Sequence, residues 1–304
     1  MRYDVIVVGG GPAGMTAALY ALRNGKSVLV IEKEGFGGQI THSPKVENYP
    51  GTLSMSGNEF AEKTLEQILA QGAEIEIETV KQIRPQDEGI RVLTEEGGEY
   101  LSRTAIIATG VRHRMLGLEG EEELVGEGIS FCAVCDGDFY EDRTVCVAGG
   151  GNSALQEAIL LSEKCKEVIM LQDLPQFTGE KRLQDVLFSR PNVRALTQVK
   201  ITDLYTQDGE FCGVGIEDRV TGDGQRIDCD GLFVAIGLIP ENDPFKELCD
   251  LNAYGYFDAD EQCLTKTPGV FVAGDCRSKN VRQITTAVAD GATAALAACR
   301  YLYE

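Results

Sequence analysis

The chain has no tryptophan, only two histidines (His42 and His113), and 28 basic residues against 48 acidic ones. A net charge of −20 excludes non-specific binding to nucleic acid and adhesion to anionic lipid, because both need clustered cations to neutralise phosphates. No apolar run approaches the ~18 residues of a transmembrane helix, so no membrane span is expected. Asp4 precedes the short run Val5 to Val8, and glycines follow it. That pattern reads as the first strand of a domain rather than a signal peptide.

At 304 residues, with 43% hydrophobic and 25% charged, the composition is that of a soluble globular chain with about two domains. Ten cysteines in a chain this long do not read as a disulfide-stapled secreted scaffold, because such a chain can bury real cores. Cys146, Cys165, Cys212, Cys229, Cys249, Cys263, Cys276 and Cys299 are scattered. They are expected to be buried thiols that pack as small apolar groups, and a reducing cytoplasm fits that usage.

A weak internal duplication organises the chain. The first copy has Val5 to Val8, then Gly9, Gly11 and Gly14, a helix expected over 13–24, and a strand over 27–31 closed by Glu32. The second has Val145 to Ala148, then Gly149, Gly151 and Ala154, a helix over 153–162 and a strand over 167–171. Alternating strand, glycine turn and helix predicts doubly wound parallel sheets. In such a turn the glycines permit the bend, let a pyrophosphate approach the backbone, and let helix pack on strand. The helix start then offers unpaired N–H groups to the anion. Glu32 stands 23 positions beyond Gly9, where a carboxylate accepts hydrogen bonds from ribose hydroxyls.

The segment Phe131-Cys132-Ala133-Val134-Cys135-Asp136 has the spacing of a small exchangeable disulfide. A zinc site would need two more ligands, and there is no second close cysteine pair. A structural cross-link over so small a loop stabilises little. Two inert thiols remain an alternative to redox chemistry. Asp136 suits proton transfer if burial raises its pKa; otherwise it is a surface or capping carboxylate.

From end to end the chain resembles the low-molecular-weight thioredoxin reductases. The motifs are Gly9 to Gly14, Gly37-Gly38-Gln39-Ile40, Val46-Glu47-Asn48-Tyr49-Pro50-Gly51, Ala108-Thr109-Gly110, Cys132 to Gly137, and Phe271-Val272-Ala273-Gly274-Asp275. The resemblance implies an α/β fold of two Rossmann-like, three-layer dinucleotide-binding domains, the second inserted into the first. An FAD-binding domain would comprise 1–114 and 243–304. An NAD(P)-binding-like domain, 115–242, would carry the cysteine pair, with hinges near Arg114 and Asn242.

The resemblance further implies that Gly9, Gly11, Pro12, Ala13 and Gly14 cradle FAD and that Glu32 holds its adenosine ribose. Gly38, Gln39, Asn48, Thr109 and Gly110 would line the cofactor, with Gln39 and Asn48 at the flavin. Asp275 would meet the ribityl and pyrophosphate region, and Arg282, Gln283 and Ile284 would start the last helix beneath the isoalloxazine ring, where a helix N-terminus suits a reduced flavin. Cys135 would be the flavin-facing sulfur, Cys132 the interchange thiol that attacks thioredoxin, and Asp136 the acid/base. The family is homodimeric, and its inserted domain rotates between the two tasks.

The second glycine turn departs from the family. Asn152 replaces the usual Asp, and Gln172-Asp173-Leu174-Pro175 replaces the His-Arg-Arg cluster that pairs with an adenosine 2′-phosphate. Asp173 would face that phosphate, and like charges near a protein surface repel by roughly 4 kcal/mol before screening. NADPH is therefore a poor donor on this reading.

The chain most resembles the pyridine-nucleotide-independent branch, in which reduced ferredoxin supplies electrons to FAD. The transfer is downhill by roughly 6 kcal/mol for two electrons, from about −400 to about −270 mV. Docking an acidic ferredoxin would need a basic patch, for which Arg112-His113-Arg114 and Arg277-Ser278-Lys279 with Arg282 are candidates. The alternatives are an NADH-dependent reductase with Asp173 on the ribose, a flavin-dependent dithiol oxidase using oxygen, and a non-catalytic flavin-binding interaction protein. The intact cysteine pair with its carboxyl counts against the last.

Overall fold

A strand buried on both faces reads as an unbroken apolar run. Val5, Ile6, Val7 and Val8 form such a strand in a computed structural model of the protein, none more than 5% exposed. The structure describes residues 2–87 and 89–303. Positions 1, 88 and 304, which fall within the expected first domain, lie outside the described residues.

Strand β1 (Arg2–Val8) leads through the glycine turn into helix α1 (Pro12–Arg23) and strand β2 (Val28–Glu32). Helix α2 (Gly57–Ala70) starts at Ser56, whose Oγ accepts from Glu59 N at 3.0 Å. Strands β3 (Glu74–Ile77), β4 (Val80–Gln86), β5 (Gly89–Thr94) and β6 (Glu99–Ile107) follow. After the two-residue strand β7 (Arg112–His113) come β8 (Ile129–Ser130), the single turn α3 (Ala133–Asp136), β9 (Thr144–Ala148), α4 (Asn152–Leu161) and β10 (Glu167–Gln172). Next are α5 (Lys181–Phe188), β11 (Val193–Thr197), β12 (Val199–Gln207), β13 (Glu210–Asp218), β14 (Gly224–Asp228) and β15 (Gly231–Val234). The chain continues through β16 (Leu238–Ile239) to β17 (Val270–Val272) and α6 (Ile284–Tyr301).

Two units result: Met1–Arg112 with Ile239–Glu304, and His113–Leu238. The joins fall at 112/113 and 238/239, against 114/115 and 242/243 from the sequence. Asn242 lies with the first unit because it is buried there, its Nδ2 donating to the carbonyls of Gly255 (2.9 Å) and Cys276 (2.8 Å).

The first unit is built on a seven-stranded sheet, six strands in the order β3-β2-β1-β6-β5-β4 and β17 paired with β6 off that path. β1, β2, β3 and β6 run parallel, and β4, β5 and β6 form an antiparallel meander. β5 covers β6 over 99–102, and β17 takes the same strand further on, over 105–107. On one face Val5, Val7, Met15, Ala17 and Ala294 pack α1 and α6 against the sheet. Gly291 of α6 makes that close approach feasible, since a Cβ there would lie 2.2 Å from Ala13 O. The opposite face is filled by Ile6, Val8, Ile31, Val92 and Phe257.

The second unit holds a five-stranded parallel sheet, ordered β11-β10-β9-β15-β8, and a three-stranded antiparallel sheet, β12-β13-β14. Val145, Val147, Leu155, Met170 and Phe233 form the core under α4. Cys146, Ile169, Val214 and Leu232 fill the space between the two sheets. Each unit is therefore layered as a Rossmann-like fold demands. Among the described residues no helix is long and apolar enough to cross a membrane.

Candidate active site

The first glycine turn divides its labour among three positions. Gly9 has φ +108°, and a Cβ there would meet Ala108 O at 2.3 Å. A Cβ on Gly14 would sit 1.9 Å from Gly9 O, so this glycine is what seats α1 on the strand. Gly11 is different: its Cβ would find only Gly37 O, at 3.9 Å. The chain therefore leaves Gly11 open, as close approach of an anion to the backbone requires. Pro12 occupies the first turn of α1, Ala13 is buried beside it, and no side chain caps this helix start.

Glu32 ends β2 and is 9% exposed. Its Oε2 accepts from Gly10 N at 2.6 Å and its Oε1 from Glu34 N at 3.1 Å. It thus braces the turn while lone pairs remain on both oxygens. Gly38, at φ +61°, opens the 3-10 turn that carries Gln39. Asn48 and Gln283 are 235 positions apart, yet Asn48 Nδ2 donates to Gln283 Oε1 at 3.2 Å. Thr109 Oγ1 donates to Asn242 Oδ1 at 3.3 Å, and Gly110 follows at φ +66°.

Gln283 is the N-cap of α6, in reciprocal bonds with Thr286, and Ile284 is its first residue. Arg282 Nε reaches Asp275 O at 3.4 Å, and its guanidinium lies 4.2 Å over the Tyr256 ring. Asp275 sits in the turn Gly274–Cys276, and its Oδ1 is buried with no hydrogen-bond partner. Burial pushes this carboxyl up, while Lys279 and Arg282 pull it down. Lys279 Nζ stands 3.9 Å from that oxygen, an ion pair beyond hydrogen-bond reach, so the acceptor keeps capacity for a donor from outside the chain.

Sequence reasoning missed the residue that supports this turn. Asp290, buried in α6, accepts from Gly274 N (3.0 Å), from Arg277 Nε (2.7 Å) and Nη2 (2.8 Å), and from Lys279 Nζ (3.0 Å). Arg277 and Lys279, read from sequence as docking cations, are instead only 2% and 5% exposed at their side chains. Arg112, another candidate, is paired with Glu241 at 2.8 Å.

In the second unit Cys132 and Cys135 are joined, with Cα atoms 5.3 Å apart. Cys132 is the N-cap of the single turn α3 and Cys135 lies within it, both residues partly buried, and Val134 between them is exposed. Cys132 Sγ accepts from Cys135 N at 3.2 Å, and Cys132 N donates to Ser130 Oγ at 3.1 Å. Ser130 Oγ donates in turn to Asp136 Oδ2 at 2.5 Å. Asp136 Oδ1 is buried and unpartnered, and burial raises this carboxyl against the pull of Ser130. A carboxyl held above its ordinary range next to a disulfide can donate a proton that a solvated aspartate would already have lost. Ser130 gave no signal in the sequence.

The second glycine turn is laced to its own chain. Gly149 has φ +126°, and a Cβ on Gly150 would fall on the Gln172 amide. Thr178 N and Gly179 N donate to Gly150 O at 2.8 and 2.9 Å. Asn152 Oδ1 accepts from Glu180 N at 2.7 Å, and Asn152 Nδ2 donates to Glu180 Oε1 at 3.1 Å. Gln172 ends β10 buried, its amide turned to Gln176 O at 3.1 Å. Asp173 is not an unopposed anion: Arg219 Nη2 donates to its Oδ2 at 2.7 Å, and Arg219 Nε donates to its Oδ1. The 4 kcal/mol repulsion argued from the sequence is thereby reduced, because the local charge is a pair rather than a lone carboxylate.

Comparison with known proteins agrees with this geometry. Residues 3–291 match the family "Pyridine nucleotide-disulphide oxidoreductase". Thioredoxin reductase from Bacillus subtilis (strain 168) is 37% identical over 302 residues, covering 99% of this chain and 95% of the relative. A "34.2 kDa protein in rubredoxin operon" from Clostridium pasteurianum is also 37% identical, covering 99% and 97%. The crystal structure of thioredoxin reductase from Streptococcus pyogenes MGAS5005 superposes with a TM-score of 0.94 at 39% identity, covering 99% of this chain and 98% of that one. The chain belongs to the pyridine nucleotide-disulphide oxidoreductase family, in its group of thioredoxin reductases, flavoprotein disulfide reductases that use FAD.

Proposed function

We propose that this chain reduces thioredoxin or a thioredoxin-like protein through Cys132 and Cys135, with electrons from reduced ferredoxin rather than from NADPH. The first unit fits FAD by its own features: the open Gly11, the uncapped start of α1, lone pairs left on Glu32, and the orphaned Asp275 Oδ1. Gln39, Asn48, Thr109, Gly110, Arg282, Gln283 and Ile284 complete the set that would hold it. Bound there, FAD supplies exchange between one-electron and two-electron transfer.

The chemistry of the pair balances as follows. Two electrons open the Cys132–Cys135 bond, and one proton converts one of the two sulfur anions into a thiol. The Cys132 thiolate attacks the substrate disulfide to give a mixed disulfide, and the leaving substrate sulfur takes a proton from Asp136. Cys135 gives its proton to the ionised Asp136 and, as a thiolate, attacks Cys132; the bridge re-forms and the second substrate sulfur departs as a thiolate that solvent protonates. The raised carboxyl of Asp136 supports its role as the acid. The eight other cysteines are unbridged, which supports work in a reducing cytoplasm, and the homodimer of the family is proposed for this chain as well.

The end of β10 carries the donor assignment. Gln172, a neutral amide, stands where the first unit has Glu32, and Arg219, paired with the adjacent Asp173, is already neutralised. A 2′-phosphate would have to break that pair and still face the aspartate.

Anaerobic mixing of the flavin-loaded protein with NADPH, NADH or reduced ferredoxin, followed at the flavin band, tests this. Rapid bleaching by ferredoxin is expected. Rapid bleaching by micromolar NADPH overturns the donor assignment, and bleaching by NADH alone shifts it to Asp173 on a free ribose.

A further inference from the structure

Glu157 lies on α4, 22 positions beyond Cys135, and the steps above do not use it. Its Oε2 accepts a hydrogen bond from the N–H of Ala133, the residue that follows Cys132. The segment holding the disulfide is therefore flanked by two carboxyls from different elements. Asp136 closes α3 and is committed to Ser130, while Glu157 reaches across from α4.

The charged group facing Glu157 is Asp136. Of the other elements packed on this corner, the turn Gly137–Tyr140 brings Tyr140, which faces Asp136 and whose hydroxyl burial and that carboxylate push up to about 12. Asp138 of the same turn is paired with Lys164. On α5, Lys181 and Asp185 are paired with each other at 2.8 Å. β9 and β10 present apolar Val145, Val147, Val168 and Met170. Burial first, and Asp136 second, push Glu157 up to about 7 against the pull of the Ala133 N–H. Two like charges beside one poorly hydrated segment resist joint ionisation, and opening the disulfide adds a third.

We propose that Glu157 is a positioning residue whose proton, above neutral pH, tracks the state of the disulfide: a carboxylate that fixes Ala133 N–H while the S–S bond is closed, and a carboxylic acid once it is opened. This rests on the redox reading of Cys132 and Cys135 given above. Two electrons enter and the S–S bond breaks. One proton from solvent goes to a sulfur, and a second goes to Glu157. When a substrate disulfide removes the two electrons, the S–S bond re-forms and both protons leave, to the substrate sulfurs or to solvent.

The test equilibrates the flavin-loaded protein with reduced and oxidised dithiothreitol from pH 5.5 to 8.5, then quenches with acid and counts thiols of the pair by alkylation and mass. One extra proton per two electrons changes the exchange constant tenfold per pH unit, about 30 mV. Wild type and Glu157→Gln, which keeps an acceptor for Ala133, are expected to run parallel below pH 6 and to diverge about tenfold between pH 7 and 8.5. Glu157→Asp, which keeps the carboxyl, is expected to restore the wild-type slope. Parallel curves throughout overturn the proposal, and a wild-type pair that never exchanges overturns the redox reading instead. A second measurement needs no variant of Glu157. Reduction of the Asp136→Asn protein at pH 8 should bring a protonated-carboxyl band into the infrared difference spectrum, and its absence there also overturns the proposal.

Discussion

Asp173 and Arg219, 46 positions apart, hold each other in a two-pronged ion pair at the surface, with side chains 53% and 48% exposed. Exposed pairs contribute only about 0.2–1 kcal/mol to stability, so the contact matters more for what it occupies than for what it stabilises. Arg219 is a cation beside the end of β10, and Asp173 already neutralises it. Asp173→Ala should free Arg219 and tighten NADPH binding about tenfold by calorimetric titration. That is about 1.4 kcal/mol, less than the unscreened Coulomb figure because the site is solvated. Micromolar binding of NADPH by the wild type would show that the pair is no obstacle.

Gly11 and Gly14 of the first glycine turn meet different surroundings. A Cβ on Gly14 would be driven into Gly9 O at 1.9 Å, whereas one on Gly11 has open space. Gly11→Ala should therefore melt close to the wild-type apoprotein yet retain little flavin through gel filtration. Gly14→Ala should lose both flavin and several kcal/mol of stability, since backbone must move to admit the methyl group. Equal flavin retention in Gly11→Ala and wild type would remove Gly11 from the cradle.

Local signals in the sequence carried the helices of the strand–turn–helix units to within a residue, while the first strand starts at Arg2, three residues before the Val5 expected. The helix expected over 13–24 is Pro12–Arg23, and that over 153–162 is Asn152–Leu161. Glycine turns, apolar runs and helix starts are short-range features, so a linear reading finds them. Partners distant in sequence were not legible. Arg219 meets Asp173 only because Gln198 bridges them, its N–H donating to Leu174 O and its carbonyl accepting from Arg219 N, and Glu157 meets Ala133 only because α4 packs on α3. Arg277 read as a surface charge because charged side chains are rarely fully buried unless paired. The signal that could have corrected this was Asp290, a lone acid in the otherwise uncharged stretch from Ile284 to Cys299.

Asp290 holds two buried cations at once, so removing its charge should be costly. Burial alone would raise this carboxyl, but the hydrogen bonds from Arg277 and Lys279 overcome it and hold Asp290 below its ordinary range. Breaking a buried pair by deleting one partner costs roughly 3–5 kcal/mol. Asp290→Asn should show a loss of that order in urea denaturation at pH 7. A depressed folded pKa stabilises above the unfolded value and loses that contribution as pH falls through the folded one. The gap between wild type and Asp290→Asn should therefore close in acid, below about pH 4. A gap that is unchanged from pH 7 to pH 3 would mean that geometry rather than charge is what Asp290 supplies.

Glu157 should show the opposite sign. Its folded pKa, about 7, lies above the ordinary 4.5. Between those values the native state keeps a proton that the unfolded chain has lost, so the wild type loses stability as pH rises through that window and levels off above it. A shift of that size corresponds to about 3 kcal/mol at most, and residual solvent contact lowers the figure. Glu157→Gln has no such group to titrate and keeps an acceptor for Ala133. Its stability relative to wild type should therefore rise by about 1–3 kcal/mol from pH 5 to pH 8, read from denaturant midpoints of the oxidised protein. The difference should be flat above pH 8. A difference that does not change with pH would place the Glu157 carboxyl in ordinary solvent contact, with Ala133 N–H its only relevant partner.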